Sequence, residues 1–81
     1  MARIIEGKKM NLIGAQVKKY RKLRQWSQQA LSIQLELLGV YVCRGSVSRI
    51  EDYSRTVTDI ELHALSKALD IPIEALFDCE K

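Results

Sequence analysis

Three polar side chains in the middle of the chain have the spacing to present hydrogen-bond donors along one side of a short helix. Arg44 and Ser48 are one helical turn apart and Arg49 follows directly, while Val47 and Ile50 share the opposite, apolar face. Each guanidinium offers several N–H donors in a planar arrangement, and the hydroxyl adds another. Such a face suits a groove that is lined with hydrogen-bond acceptors.

Residue patterns that support enzymatic or metal chemistry are sparse. His63 has no second His or Cys at ligand spacing, so we interpret it as a solvated or edge residue. Cys43 and Cys79 are too few for a disulfide framework, and we expect the first at the start of a helix and the second as a free thiol. The serines lack a plausible His and carboxylate arrangement, and no glycine-rich phosphate loop is present. We therefore predict a protein that is not an enzyme and uses no metal or cofactor.

A second helix is predicted directly before the one that carries the arginines. Ser27 is suited to be its N-cap, because a serine hydroxyl accepts a hydrogen bond from the free N–H groups of a first turn. Gly39 follows the predicted end near Leu38, where a left-handed residue commonly stops a helix. Its inner face is assigned to Ala30, Leu31 and Leu35, with Ile33 and Leu38 as further candidates.

Three more helices are predicted on either side of this pair. The first opens near Asn11, runs to about Arg24 and buries Ile13, Val17 and Tyr20. Trp26, which follows this helix, is expected to pack with Leu23 and Leu31. The fourth begins with a capping box formed by Thr58 and Glu61, and its apolar face is Leu62, Leu65, Ala68 and Leu69. Pro72 suits the first turn of a short fifth helix, with apolar positions at Ile73, Leu76 and Phe77.

Length and composition fit one small helical domain. The 81 residues are 47% hydrophobic and 28% charged, which allows a packed core and argues against disorder. No apolar run approaches the roughly 20 residues that span a bilayer, and no signal-peptide segment follows Met1, so we expect a cytoplasmic protein. The net charge of +3 is uneven: residues 1–24 carry eight Lys and Arg against one Glu, and residues 56–81 carry two against six acidic residues. The basic part is suited to a polyanion, although charged surfaces are often merely solvated.

Three segments together resemble the Cro/XRE family of phage-repressor-like helix-turn-helix domains. They are IGAQVKKYRKLRQWSQ, SVSRIE and TDIELHALSKALDIPIEALF, and the likeness runs from about Ile13 to Phe77. The resemblance implies an all-α, compact five-helix bundle that binds double-stranded DNA and regulates transcription, with the third helix in the major groove. It predicts a helix-turn-helix domain at residues 11–78, a basic N-terminal arm at 1–10 and a tail at 79–81. The arm could be disordered, follow phosphates or enter a minor groove.

The resemblance also assigns roles to individual residues. Arg44 and Arg49 are expected to read guanine bases, Ser48 to make a smaller contact, and Gln28 to clamp a backbone phosphate. Weaker phosphate candidates are Ser46 and Arg55. Family members commonly pair an arginine of the first helix with the glutamate that ends the third, here Arg21 and Glu51.

The chain departs from the family pattern in three places. The connection before the third helix is longer than usual, so we expect the second helix to extend to Leu38 and Val40 or Val42 to turn inward. Gly45 lies in the predicted third helix, where a glycine costs roughly 0.5 to 1 kcal/mol, and either close approach of a base or sugar or a flexible helix would explain it. Tyr53 stands where relatives often have glycine and could stack locally or reach a phosphate.

Two other functions use the same fold. The chain could be a protein-interaction module that binds through Val40, Tyr41 and Val42, or an antitoxin that represses its promoter and holds a toxin. Repression is favoured over activation for the DNA-binding interpretation. A homodimer is expected in that case, because one short helix reads only a few base pairs, and either the fifth helix or the loop near Tyr41 could form the dimer contact.

Overall fold

The computed structural model describes residues 9–77, and within that range it contains five α-helices and no strand. The helices are α1 Gly14–Leu23, α2 Gln28–Leu37, α3 Arg44–Glu51, α4 Asp59–Leu69 and α5 Ile73–Leu76. This confirms the predicted all-α, five-helix architecture. Residues 1–8 of the predicted arm, Asp78 at the end of the predicted domain, and the predicted tail 79–81 with Cys79 lie outside the described residues. No helix within residues 9–77 is long and apolar enough to cross a bilayer.

The first helix is held against the end of the third. Asn11 Oδ1 accepts hydrogen bonds from the N–H groups of Ile13 and Gly14, at 3.1 and 2.9 Å. The predicted capping chemistry of Asn11 is therefore present, although the helix itself begins only at Gly14. A Cβ atom at Gly14 would collide with the backbone oxygen of Ile50, so glycine is required where α1 crosses α3.

The second and third helices bury the predicted aliphatic residues. Ser27 Oγ caps α2 by accepting from the Ala30 N–H at 3.0 Å, and Gly39 ends it with a φ of 86°. Val42 turns into the core and Val40 packs against it. Together with the first helix, these segments build one hydrophobic core, whose most buried members are Val17, Leu31, Leu35, Val47 and Ile50.

Three apolar assignments on the first and second helices are wrong. Leu23, Ile33 and Leu38 are all exposed. Leu23 ends α1 on the solvent side, so Trp26 packs against the core without it. Ile33 falls outside the stripe that Leu31 and Leu35 define, because a helix of 3.6 residues per turn places it on the opposite side from Leu31. Leu38 is the C-cap that follows the last helical residue, Leu37, so the helical period no longer determines where its side chain lies.

The fourth and fifth helices close the core from the acidic part of the chain. The capping box is confirmed: Thr58 Oγ1 accepts from the Glu61 N–H, and Glu61 Oε1 accepts from the Thr58 N–H, both at 3.1 Å. Pro72 occupies the N-cap of α5 rather than its first turn. On α5 Leu76 is fully buried, whereas the predicted apolar positions Ile73 and Phe77 are exposed.

Candidate nucleic-acid interface

The outward face of α3 carries two arginines without an acidic partner in the described part of the chain. Val47 and Ile50 are each only 1% exposed, and they fix the inner face of the helix to the core. Arg44 and Arg49 are exposed and Ser48 is half-buried. Among residues 9–77, no carboxylate lies within ion-pair distance of Arg44 or Arg49. The predicted division of α3 into an apolar inner face and a cationic outer face is confirmed.

The other three arginines of the described residues have structural roles. Arg21 Nε and Nη2 donate to the Glu51 carboxylate at 2.6 and 3.0 Å, which confirms the predicted pair. Arg24 donates to the Leu69 carbonyl at the end of α4, at 2.8 and 3.0 Å. The basic part of the chain therefore offers less free charge than its composition indicates.

Arg55 forms a two-pronged ion pair with the capping glutamate of α4. Its Nη1 and Nη2 donate to Glu61 Oε1 and Oε2, both at 3.1 Å. Burial acts to raise the pKa of Glu61, but the hydrogen bonds from Arg55 and Thr58 outweigh it and hold that pKa below its usual value. Glu61 engages both Nη atoms of Arg55. The predicted phosphate contact of Arg55 would therefore have to use the guanidinium N–H groups that do not donate to Glu61.

The Gln28 side chain is hydrogen-bonded to Glu51, a contact that the sequence did not indicate. Its Nε2 donates to Glu51 Oε1 at 3.1 Å, so Glu51 receives hydrogen bonds from α1 and from α2 while it ends α3. The N–H groups of Gln28 and Gln29 stand in the first turn of α2, where no helical acceptor exists for them. A phosphate at this helix end would meet those N–H groups, the positive end of the helix dipole and the second amide hydrogen of Gln28.

The beginning of α3 is open on the outside. Cys43 is its N-cap, as expected, and Gly45 lies in the first turn rather than in the helix interior. Apart from its two chain neighbours and the backbone of α3 itself, no atom of the described residues would lie within 4 Å of a Cβ at Gly45. Hydrogen bonding with the Ser46 side chain and backbone lowers the pKa of the Cys43 thiol, whose Sγ lies 3.5 Å from Ser46 Oγ.

Tyr53 is engaged within the fold. It has a φ of 68°, the left-handed conformation in which glycine is common. Its hydroxyl oxygen accepts from the Ala15 N–H at 3.2 Å, and its carbonyl accepts from the Met10 N–H at 2.9 Å. The Lys9 ammonium lies 4.7 Å from the centre of its ring. These contacts favour the local role over the phosphate contact that the sequence left open.

The connection from α2 to α3 displays apolar side chains. Leu37 at the end of α2 and Tyr41 in the connection are 74% and 72% exposed, and Leu38 is 49% exposed. Val42 is buried, so the predicted protein-binding surface of Val40, Tyr41 and Val42 cannot exist as a unit. His63 is exposed, and no cluster of three metal-ligating side chains occurs between residues 9 and 77.

These five helices, with α3 fixed to the core through Val47 and Ile50, have the helix-turn-helix fold that the resemblance implied. The chain is similar to the crystal structure of the restriction-modification controller protein C.AhdI from Aeromonas hydrophila, with a TM-score of 0.70 and 28% sequence identity. That likeness covers 80% of this chain and 91% of C.AhdI. No protein-family model and no curated protein sequence matches the chain. The structural neighbour is thus a regulatory protein.

Proposed function

We propose that this chain is a transcriptional regulator that binds double-stranded DNA sequence-specifically, with α3 in the major groove. The observation that carries the proposal is the pair of exposed, unneutralised arginines on a helix whose opposite face is fixed in the core. The likeness to a controller protein supports a regulatory role. We expect repression rather than activation, and such a role agrees with the predicted cytoplasmic location.

In the proposed complex, the arginines specify bases and other groups hold the backbone. Arg44 and Arg49 can each donate two hydrogen bonds to O6 and N7 of a guanine, which favours G-containing half-sites. Ser48 makes a smaller contact. Phosphates are held by the beginning of α2 at Gln28, with Ser46 and Arg55 as secondary contacts.

Gly45 serves the complex by being small. The chain's own packing leaves free space at its Cβ position, and its backbone φ is not one that only glycine adopts. Close approach of a base or sugar to the beginning of α3 would explain the glycine. The alternative, a flexible helix, receives little support from a first-turn position.

We further propose that the protein acts as a homodimer on a two-fold symmetric site. A helix of eight residues, α3, spans about 12 Å and reads only a few base pairs. Two copies on half-sites separated by one helical turn of DNA multiply that discrimination. Exposed apolar groups on α5, Ile73 and Phe77, are available for a contact between copies.

The experiment that tests DNA binding is an anisotropy titration of labelled random duplex at several salt concentrations. A chain that neutralises phosphates loses affinity linearly in a plot of log K against log salt concentration. Selection of bound duplexes from a random pool would then reveal half-site symmetry and base preference. Affinity that is absent, or that does not change with salt, would contradict the proposal.

A protein-interaction module or an antitoxin is the second candidate function. The observation that favours it is the exposed apolar pair of Leu37 and Leu38 at the end of α2. Such a patch marks contact sites in many proteins. The same titration separates the candidates, since a pure interaction module has no salt-dependent affinity for DNA, whereas an antitoxin has both activities.

A further inference from the structure

The loop between α2 and α3 holds one aromatic side chain outward between two inward ones. Val40 packs against the core and Val42 is buried in it, whereas Tyr41 between them is 72% exposed. This in-out-in alternation is the pattern of an extended chain. The Val40 N–H also donates to the Leu35 carbonyl at 3.1 Å, which fixes the start of the loop to α2. Tyr41 is thus presented by anchored neighbours rather than by a free loop.

The hydroxyl of Tyr41 is available to a ligand. No hydrogen-bond partner for it exists among residues 9–77, whereas the Tyr53 hydroxyl is engaged by the Ala15 N–H. Three residues of chain reach at most about 11 Å, so Tyr41 lies within that distance of Arg44 at the beginning of α3. An exposed phenol is therefore carried by backbone that lies close to the beginning of α3.

The dimensions of the DNA major groove determine which part of the DNA the Tyr41 side chain can contact. An α-helix with its side chains is about 10 to 12 Å across and fills a major groove about 12 Å wide. A segment that precedes the helix and is tied to the domain therefore meets the groove wall rather than base edges. That wall is the sugar–phosphate backbone, and tyrosine hydroxyls are among its common donors.

We propose that Tyr41 is a phosphate-contacting residue, whose hydroxyl donates to a backbone oxygen at the edge of the groove that α3 enters. The inference rests on the proposed function. It adds a contact that the helix-turn-helix pattern itself does not supply, because Tyr41 lies in the longer connection of this chain. The bound group is a DNA phosphate, so the contact strengthens binding without selecting a sequence.

The test is Tyr41→Phe, which removes one hydroxyl and keeps the ring. We expect affinity to fall about three- to tenfold, the usual effect of one hydrogen bond, and by the same factor on a selected site and on scrambled duplex. The salt dependence should stay that of the wild type, since a neutral donor releases no counterion. Thermal unfolding should not change, because the hydroxyl has no partner within the described fold.

Ile60→Ala is the matched control, since Ile60 on α4 is similarly exposed, carries no donor and has no role in the proposed interface. Its affinity for DNA should equal that of the wild type. An unchanged affinity of Tyr41→Phe beside salt-dependent wild-type binding would overturn the inference and leave the proposed function standing. A loss confined to the selected site, or a shift of the monomer–dimer equilibrium that accounts for the loss, would overturn it as well. Wild-type protein that binds no duplex would instead contradict the proposed function.

Discussion

At the scale of single residues, the Glu51 carboxylate determines how α3 sits on the fold. Its two oxygens accept from Arg21 and Gln28, and the pair with Arg21 is almost fully shielded from solvent. A buried ion pair of this kind gives uncertain net stability, but the loss of one partner leaves an uncompensated charge. Glu51 therefore ties α3 to α1 and to α2 at one point.

A double-mutant cycle tests this tie. Arg21→Met and Glu51→Leu should each lower the free energy of unfolding by about 3 kcal/mol, because each leaves a buried charge without its partner. The double variant should lose clearly less than the sum, with a coupling of about 1 to 3 kcal/mol in urea denaturation. Additive losses would show that the two side chains do not interact in solution.

A substitution at Gly45 should change stability and DNA affinity in opposite directions. Gly45→Ala should raise the free energy of unfolding by up to about 0.5 to 1 kcal/mol, because alanine restricts the unfolded chain and the folded helix has space for its methyl group. The same change should weaken DNA binding in an anisotropy titration, since the methyl group blocks close approach.

Gly39→Ala is the control with the opposite pattern. Its φ of 86° is unfavourable for alanine, so stability should fall by about 1 to 2 kcal/mol while DNA affinity stays unchanged. If Gly45→Ala bound DNA as well as the wild type, no ligand would approach that position closely.

At the scale of elements, the beginning of α4 is joined to the segment that follows α3. Arg55 and Thr58 both bind the Glu61 carboxylate, so one side chain completes the cap of α4 and holds the preceding loop. Tyr53 likewise joins this segment to α1, because its hydroxyl oxygen accepts a hydrogen bond from the Ala15 N–H. The end of α3 is thus followed directly by side chains that hold α1 and α4.

The Glu61 cluster predicts a pH dependence of stability. The pKa of Glu61 is lowered in the folded state, so its contribution is complete above the unfolded value of about 4.3 and is lost as the pH falls through the folded pKa. Urea denaturation between pH 6 and about 3 should show this loss, and Glu61→Gln should show a smaller slope in the acid range. Equal slopes for the two proteins would contradict the role of the ion pair.

Most of the fold follows from local signals in the sequence. Ser27, Gly39 and the Thr58–Glu61 box act within a few residues of themselves, and so they predict helix ends well. The resemblance supplied the Arg21–Glu51 contact. The partners of Arg24 and Gln28 lie 45 and 23 residues away, and no spacing rule indicates such contacts. Exposed Leu23, Ile33 and Leu38 were misassigned because a hydrophobic type does not by itself identify the buried face.

At the scale of the whole molecule, hydrogen bonding within the fold separates the arginines of residues 9–77 into two groups. Arg21, Arg24 and Arg55 are bound by carboxylates or carbonyls of the fold. Arg44 and Arg49 are left for a ligand, and both stand on α3. This separation follows from tertiary structure and could not be predicted from the net charge of +3.

The affinity of Arg49→Ala on a selected site and on scrambled duplex, measured side by side, tests the account most directly. If Arg49 reads a base as proposed, the loss should be about 1 to 3 kcal/mol on the selected site and smaller on scrambled DNA. Lys67→Ala on α4 removes the same charge from an exposed position and should leave the ratio of the two affinities unchanged. An equal loss on both duplexes for Arg49→Ala would contradict base reading by α3.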